Sequence, residues 1–424
     1  MDVKITPSKL SGQIEAIASK SEAHRLLICA ALSRTETELN INKSSGDIEA
    51  TIGCLRALGA EITVSGSKVL VKPCRPSGTP LIDAKESGST LRFMIPVAAA
   101  LSESVCVTGS GRLPERPIGE LLAAISENGS MADGDRIPLT LKGKLKPGTF
   151  SIPGNVSSQY ITGLLLALPL LEGRSSVKLT SKLESKAYVD ITLDVMKRFG
   201  IEFEYVENEE GLSEFVLDNG NGYSAPPFVK VDGDWSNGAF FLVAGALGNG
   251  ITVSGLSLSS PQGDKEIISI LRKFGADVMI SEDVITVLPG NLKGTVIDIN
   301  ETPDLLPILS VLASFAEGET EFVNGARLRI KESDRLMSSA AMINGLGGCA
   351  EELPSGLKVK GFPGGNLRGG NVDSFHDHRI AMSAAIAATR CDGDVYIKDA
   401  GSAAKSYPDF YSDYRNLGGK VDVI

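Results

Sequence analysis

The chain has 424 residues, 42% of them apolar and 22% charged, which excludes a largely disordered protein and implies a sizeable core shared by two or three domains. Lys and Arg number 42 against 52 Asp and Glu, a formal net charge of −10, so a general nucleic-acid-binding surface is excluded. Aromatic residues are sparse at 5% and Gly is abundant at 46, a composition suited to tight turns and helices packed through small residues.

Read from the N-terminus, MDVKITPSKL has no apolar core of a secretory leader, and the longest apolar run, 161–171, is interrupted by Gly163 and Pro169 and too short to span a bilayer. Cysteines 29, 54, 74, 106, 349 and 391 form no C-x-x-C and read as reduced, mostly buried small apolar residues, so a cytoplasmic location is expected. Histidine occurs only at 24, 376 and 378, and no P-loop, dinucleotide fingerprint or H-E-x-x-H is present. Neither a metal nor a cofactor is expected.

Six segments open with a polar turn and then become rich in Ala, Leu, Ile and Gly. They are SEAHRLLICAAL from Ser21, STLRFMIPVAAAL from Ser89, SSQYITGLLLAL from Ser157, SNGAFFLVAGAL from Ser236, DLLPILSVLASF from Asp304 and DHRIAMSAAIAA from Asp377. Their starts lie 68, 68, 79, 68 and 73 residues apart. Each reads as a buried helix followed by a short strand. Between them run amphipathic helices that stop at Gly59, Gly129, Gly200, Gly275, Gly347 and Gly418, the residue type the left-handed C-terminal cap favours. Six α/β units of helix, strand, helix, strand, strand are expected, three in each half, with the turn-rich stretch 218–227 near the middle.

The buried helices begin with groups that suit anions. A helix N-terminus offers free N–H groups and partial positive charge, and several starts add cations or hydroxyls: Lys20, Ser21 and Arg25; Ser89 and Arg92; Ser157, Ser158 and Gln159; His378 and Arg379. Cations in a first turn oppose the helix dipole and need another reason to be there. Ser236 and Asp304, by contrast, read as ordinary N-caps. Two loops are also rich in charge, GSGRLPERPIGE with Arg112 and Arg116, and RLRIKESDRL with Arg327, Arg329, Lys331, Glu332, Asp334 and Arg335. Taken by themselves, these residues point to a metal-free enzyme acting on small anionic substrates.

The motifs SKSEAHR (19–25), SGSTLR (87–92), ERPIG (115–119), VSSQY (156–160), KESDRL (331–336), DHRIAM (377–382) and AKSYPDF (404–410) occur in one order along the chain. Together they resemble the 5-enolpyruvylshikimate-3-phosphate synthase family over essentially the full length. The resemblance implies a two-domain inside-out α/β barrel of six βαβαββ repeats, three per domain. It divides the chain into a discontinuous domain, 1–12 plus 231–424, and a second domain, 13–230, with substrates bound between them. It implies transfer of the enolpyruvyl group of phosphoenolpyruvate to the 5-hydroxyl of shikimate 3-phosphate by addition and elimination, in the route to chorismate and aromatic amino acids. A monomer without nucleic-acid or membrane partners is expected.

By motif match, the resemblance assigns shikimate 3-phosphate to Lys20, Ser21, Arg25, Ser157, Ser158, Gln159, Ser185, Asp304 and Lys331. Phosphoenolpyruvate is assigned to Lys20, Gly88, Arg116, Gln159, Arg335, Arg379 and Lys405. Asp304, Glu332 and Lys20 are the implied catalytic groups. The chain departs from the family's common residues at Glu86, Ser89 and Arg327, where Asn, Thr and Asn are usual, and at Ala18, where Gly often stands. The sister transferase acting on UDP-N-acetylglucosamine shares the fold but carries Lys-Asn at the place of Lys20–Ser21 and a Cys in the loop near 115, which here reads GRLPERPIG. A non-enzymatic clamp encircling DNA needs a basic inner face, which the charge does not supply.

Overall fold

The computed structural model describes residues 1–424. Twenty-four strands form six four-stranded sheets, and every sheet follows one plan of a parallel pair extended by two antiparallel partners. In the simplest case Leu81–Asp83 leads through the helix Gly88–Leu101 to its parallel neighbour Ser104–Thr108. The helix Gly119–Ser126 follows, then the antiparallel strands Met131–Ala132 and Leu139–Lys142. This is a βαβαββ unit, one strand more than the sequence pattern of helix, strand, helix, strand, strand. The extra strand is only three residues long and follows loop-like sequence, so it gives little periodic signal.

The chain falls into two compact units, Met1–Ile17 with Asp232–Ile424, and Ala18–Val231. Strand exchange creates the discontinuity. Val3–Thr6 closes the sheet of Gly370–Asp373, Val395–Lys398 and Lys420–Val423. Gly12–Glu15 pairs in parallel with Ile251–Ser254, keeping these residues with the C-terminal half. In return Phe228–Lys230 pairs in parallel with Thr37–Asn40 and completes the first sheet of the other unit.

Each unit has its own apolar core. The six predicted inner helices are Lys20–Leu32, Gly88–Leu101, Ser158–Ala167, Trp235–Leu247, Leu306–Ala313 and His378–Ala388, and nearly every residue of each is buried. Helices fill the inside and sheets the outside, an inside-out α/β arrangement. Gly163 shows why small residues are needed: a Cβ there would drive into the Arg92 carbonyl of the neighbouring inner helix. All six stop glycines have positive φ, from +79° at Gly200 to +102° at Gly129. No helix is long and apolar enough to cross a membrane.

Candidate active site

The inner helices start where the parallel strand ends, so their first turns carry the candidate residues. The caps differ in part from expectation. Ser19, Ser87, Ser157, Asp234 and Asp377 are the residues whose side chains accept a first-turn N–H. Ser236 is therefore not a cap; it stands two residues after Asp234 and donates its hydroxyl to Asp264 Oδ2. Asp304 is not a cap either. It lies in a 3₁₀ turn, Pro303–Leu305, with no side-chain cap hydrogen bond, because its carboxylate is taken by cations.

In the unit Ala18–Val231, Lys20 Nζ pairs with Asp47 Oδ2 at 2.9 Å, each side chain 14% exposed. Arg25 is buried and ties three helices together, Lys20–Leu32, Ser158–Ala167 and Lys186–Arg198. Its Nε donates to Thr192 Oγ1 at 2.8 Å, Nη1 to the Ser21 carbonyl at 2.5 Å, and Nη2 to Tyr188 O at 2.9 Å and Thr162 Oγ1 at 3.2 Å. Burial lowers its pKa to about 10, with Tyr188, Cys29 and Glu22 opposing, so it stays cationic at neutral pH. Ser185 caps the neighbouring helix Lys186–Arg198 in the left-handed region, φ +53°, a conformation unusual for serine.

Gln159 is held from both sides, Nε2 donating to Ser89 Oγ at 2.9 Å and Oε1 accepting from Arg92 Nη1 at 3.3 Å. Arg92 Nη2 and the Tyr160 hydroxyl both donate to Pro117 O, at 3.2 and 2.6 Å, which fixes the loop carrying Arg116. Gly88 is needed because a Cβ there would come within 2.6 Å of Arg92 Nη1 and against Arg116 Nη1. Two guanidinium groups thus converge on its backbone, and the Arg116 Nε makes no hydrogen bond. Ser157 and Ser158 are half-buried at the same helix start. Glu86, the departure beside this motif, is exposed.

In the unit containing Asp232–Ile424, Asp304 is the hub. Its Oδ1 accepts from Arg335 Nη1 at 2.6 Å and its Oδ2 from Arg379 Nη2 at 2.8 Å, while Lys331 Nζ stands 3.8 Å from Oδ1. Arg335 is 1% exposed and also binds Glu332 Oε2 at 2.7 Å and Asp377 Oδ2 at 2.8 Å. Burial alone would lower the Arg335 guanidinium, but Asp377, Glu332 and Asp304 outweigh it and hold the group well above its ordinary value. Lys331 moves the other way, lowered first by burial, with Asp304 opposing. Lys405 Nζ donates to the His376 carbonyl at 3.0 Å. Arg327 is held on Asn300, through the carbonyl at 2.9 Å and Oδ1 at 2.8 Å.

A sequence profile of the family described as EPSP synthase (3-phosphoshikimate 1-carboxyvinyltransferase) matches residues 5–413. The chain belongs to the EPSP synthase family. Similar curated proteins, named 3-phosphoshikimate 1-carboxyvinyltransferase, come from Clostridium novyi, 42% identical with 99% of this chain and 98% of that protein covered, and Clostridium acetobutylicum, 43% identical with the same coverage. Among solved structures, the EPSP synthase of Acinetobacter baumannii aligns over 100% of both chains with a TM-score of 0.82 at 24% identity. The enolpyruvyl transferase NikO of Streptomyces tendae aligns over 99% of this chain and 98% of its own with a TM-score of 0.79 at 16% identity. These two likenesses speak to the fold.

Several residues of the site were not visible in the family motifs. Asp47 and Asp264 sit in ordinary-looking first turns, SSGDIEA and PQGDKEI, where an acid is expected for dipole reasons alone. Arg92 is visible as a first-turn cation, but its role as the clamp on Gln159 and Pro117 depends on contacts 67 and 25 residues away.

Proposed function

We propose that the chain transfers the enolpyruvyl group of phosphoenolpyruvate to the 5-hydroxyl of shikimate 3-phosphate and releases phosphate. Family membership over residues 5–413 supports the activity. The structural observation that carries the chemistry is Asp304 held by Arg335 and Arg379. Two cations favour the ionised carboxylate, the form a general base needs. Asp304 takes the 5-hydroxyl proton as that oxygen bonds to C2 of phosphoenolpyruvate, and Glu332 protonates the methylene carbon to methyl. From the resulting ketal, a methyl proton returns to Glu332, the C2–O bond to phosphate breaks as the departing phosphate takes the proton held by Asp304, and the enol double bond re-forms.

Lys20 supports charge developing on the departing phosphate. Shikimate 3-phosphate is taken by Lys20, Ser21, Arg25, Ser157, Ser158, Gln159, Ser185, Asp304 and Lys331. Phosphoenolpyruvate is taken by Lys20, Gly88, Arg116, Gln159, Arg335, Arg379 and Lys405. Guanidinium forks and ammonium groups suit substrates that each carry a carboxylate and a phosphate. The protein works as a cytoplasmic monomer and needs neither nucleic acid nor membrane.

The test is phosphate release from phosphoenolpyruvate with either shikimate 3-phosphate or UDP-N-acetylglucosamine as acceptor. Release with shikimate 3-phosphate alone is expected; release only with the sugar nucleotide would transfer the chain to the sister reaction. Asp304→Asn should lower kcat by about 10²- to 10⁴-fold, and a near-wild-type kcat would remove Asp304 as the base.

A further inference from the structure

Four of the site residues share a place in their repeats. Arg116, Ser185, Arg335 and Lys405 each lie at, or within five residues of, the start of the outer amphipathic helix, at Gly119, Lys186, Arg335 and Phe410. In the remaining two repeats that place is held by acids, Asp47 in the helix Gly46–Ala57 and Asp264 in the 3₁₀ turn Gly263–Glu266 ahead of Ile267–Phe274. Each acid reaches the first turn of the inner helix in its own repeat, Asp47 to Lys20 and Asp264 to Ser236, across 27 and 28 residues. Lys20 is already among the proposed catalytic groups, whereas Asp264 and Ser236 have no assigned part.

Asp264 is 4% exposed, and its segment is strapped over the helix start. Gln262 Oε1 accepts the Trp235 N–H at 3.1 Å, and Gln262 Nε2 donates to the Gly233 carbonyl at 2.9 Å. Ser236 donates to Asp264 Oδ2, and Asp264 Oδ1 is a buried acceptor with no hydrogen bond. Such an atom is costly to bury and calls for an explanation. We propose that Asp264 is a positioning residue of this site: through Oδ2 it fixes the Ser236 hydroxyl, and through its buried carboxyl it sets the charge beside Asp304 and Arg379. The proposal rests on the reading of the site given above.

The surroundings agree with that role. Burial, then the Asp304 charge, raise the Asp264 carboxyl to about 7; Arg379 and the Ser236 hydroxyl oppose the rise, and Asp234 adds to it. The group therefore passes from mostly neutral to mostly ionised between about pH 6 and 8. In its neutral form it adds no carboxylate charge to the surroundings of Arg379. When ionised it weakens the hold of that guanidinium on an anionic substrate.

The experiment measures KM for phosphoenolpyruvate at saturating shikimate 3-phosphate from pH 5.5 to 8.5 in the wild type, Asp264→Asn and Ser236→Ala. Substrate phosphates titrate identically in all three, so the differences between profiles report on the protein. Relative to Asp264→Asn, the wild-type KM is expected to rise about three- to tenfold between pH 6 and 8. Ser236→Ala removes a hydrogen bond that favours the charged form and should move the midpoint of that rise to higher pH. Parallel profiles for wild type and Asp264→Asn, or an unmoved midpoint in Ser236→Ala, overturn the proposal. If Asp264→Asn does not fold, the Ser236→Ala midpoint decides alone. Loss of the base assignment would instead show as an unchanged kcat in Asp304→Asn, a separate readout.

Discussion

In the unit Ala18–Val231 the buried guanidiniums of Arg25 and Arg92 donate to carbonyls, hydroxyls and one amide. In the other unit, Arg335 and Arg379 donate to the carboxylates of Asp304, Glu332 and Asp377. Neutral acceptors satisfy the N–H groups without adding negative charge, whereas carboxylates offset the positive charge. The difference teaches a division of labour. Hydrogen bonds to neutral groups orient a cation, whereas a network of carboxylates and cations can both hold an anion and move a proton without a large change in net charge.

The comparison can be broken by removing one guanidinium from each unit. Arg335→Met leaves three carboxylates around an apolar side chain, and removing one partner of a buried ionic network costs about 3–5 kcal/mol. Arg92→Met removes hydrogen bonds to Gly88 O, Gln159 Oε1 and Pro117 O and should cost less, about 1–3 kcal/mol. Urea unfolding of both variants measures this. Equal losses would show that partner charge does not distinguish the units. The kinetic side sharpens it: Arg92→Met should raise KM for phosphoenolpyruvate through the released Gln159 and Pro117, while Arg335→Met should also depress kcat.

Gly88→Ala is a smaller and more local change. The added methyl meets the guanidinium ends of Arg92 and Arg116 rather than backbone, so stability should fall by less than about 1 kcal/mol. The displaced guanidiniums should nevertheless raise KM for phosphoenolpyruvate about tenfold, since sub-ångström misplacement of a binding group is felt directly. A variant with unchanged KM would mean that the close approach at Gly88 serves packing alone.

Much of this organisation could be read from sequence because it is periodic. Inner helices, stop glycines and their sixfold spacing all follow from local chemistry repeated about every 70 residues. The first strand of each repeat escaped, since three residues such as Leu81–Asp83 carry no alternation long enough to detect. The exchange of Gly12–Glu15 for Phe228–Lys230 is a pairing between distant segments, which no local pattern encodes. Ser236 and Asp304 resemble caps in sequence for a related reason. A Ser or Asp beside a helix start looks the same whether it accepts an N–H or meets an arginine 31 residues away.

Acid and base should act on the two units in opposite senses, and the smallest predicted effect lies here. His24 is buried in the first unit, its Nδ1 2.6 Å from Thr51 Oγ1, and burial pushes its pKa down to about 3, with Asp47 opposing and Lys20 and Arg25 adding to the fall. The unfolded chain then binds a proton that the folded one refuses, so His24 removes stability as pH falls from about 6.5 toward 3. Asp264 has a raised folded value, about 7, and its contribution is present below about 3.8 and lost as pH rises through 7. Comparing wild type with His24→Asn by urea unfolding at pH 7 and pH 6 isolates the first effect. The stability advantage of the wild type should shrink by roughly 0.7 kcal/mol at the lower pH. An advantage that stays constant would mean that His24 accepts a proton within the fold, and that the hydrogen bond to Thr51 does not fix a neutral ring.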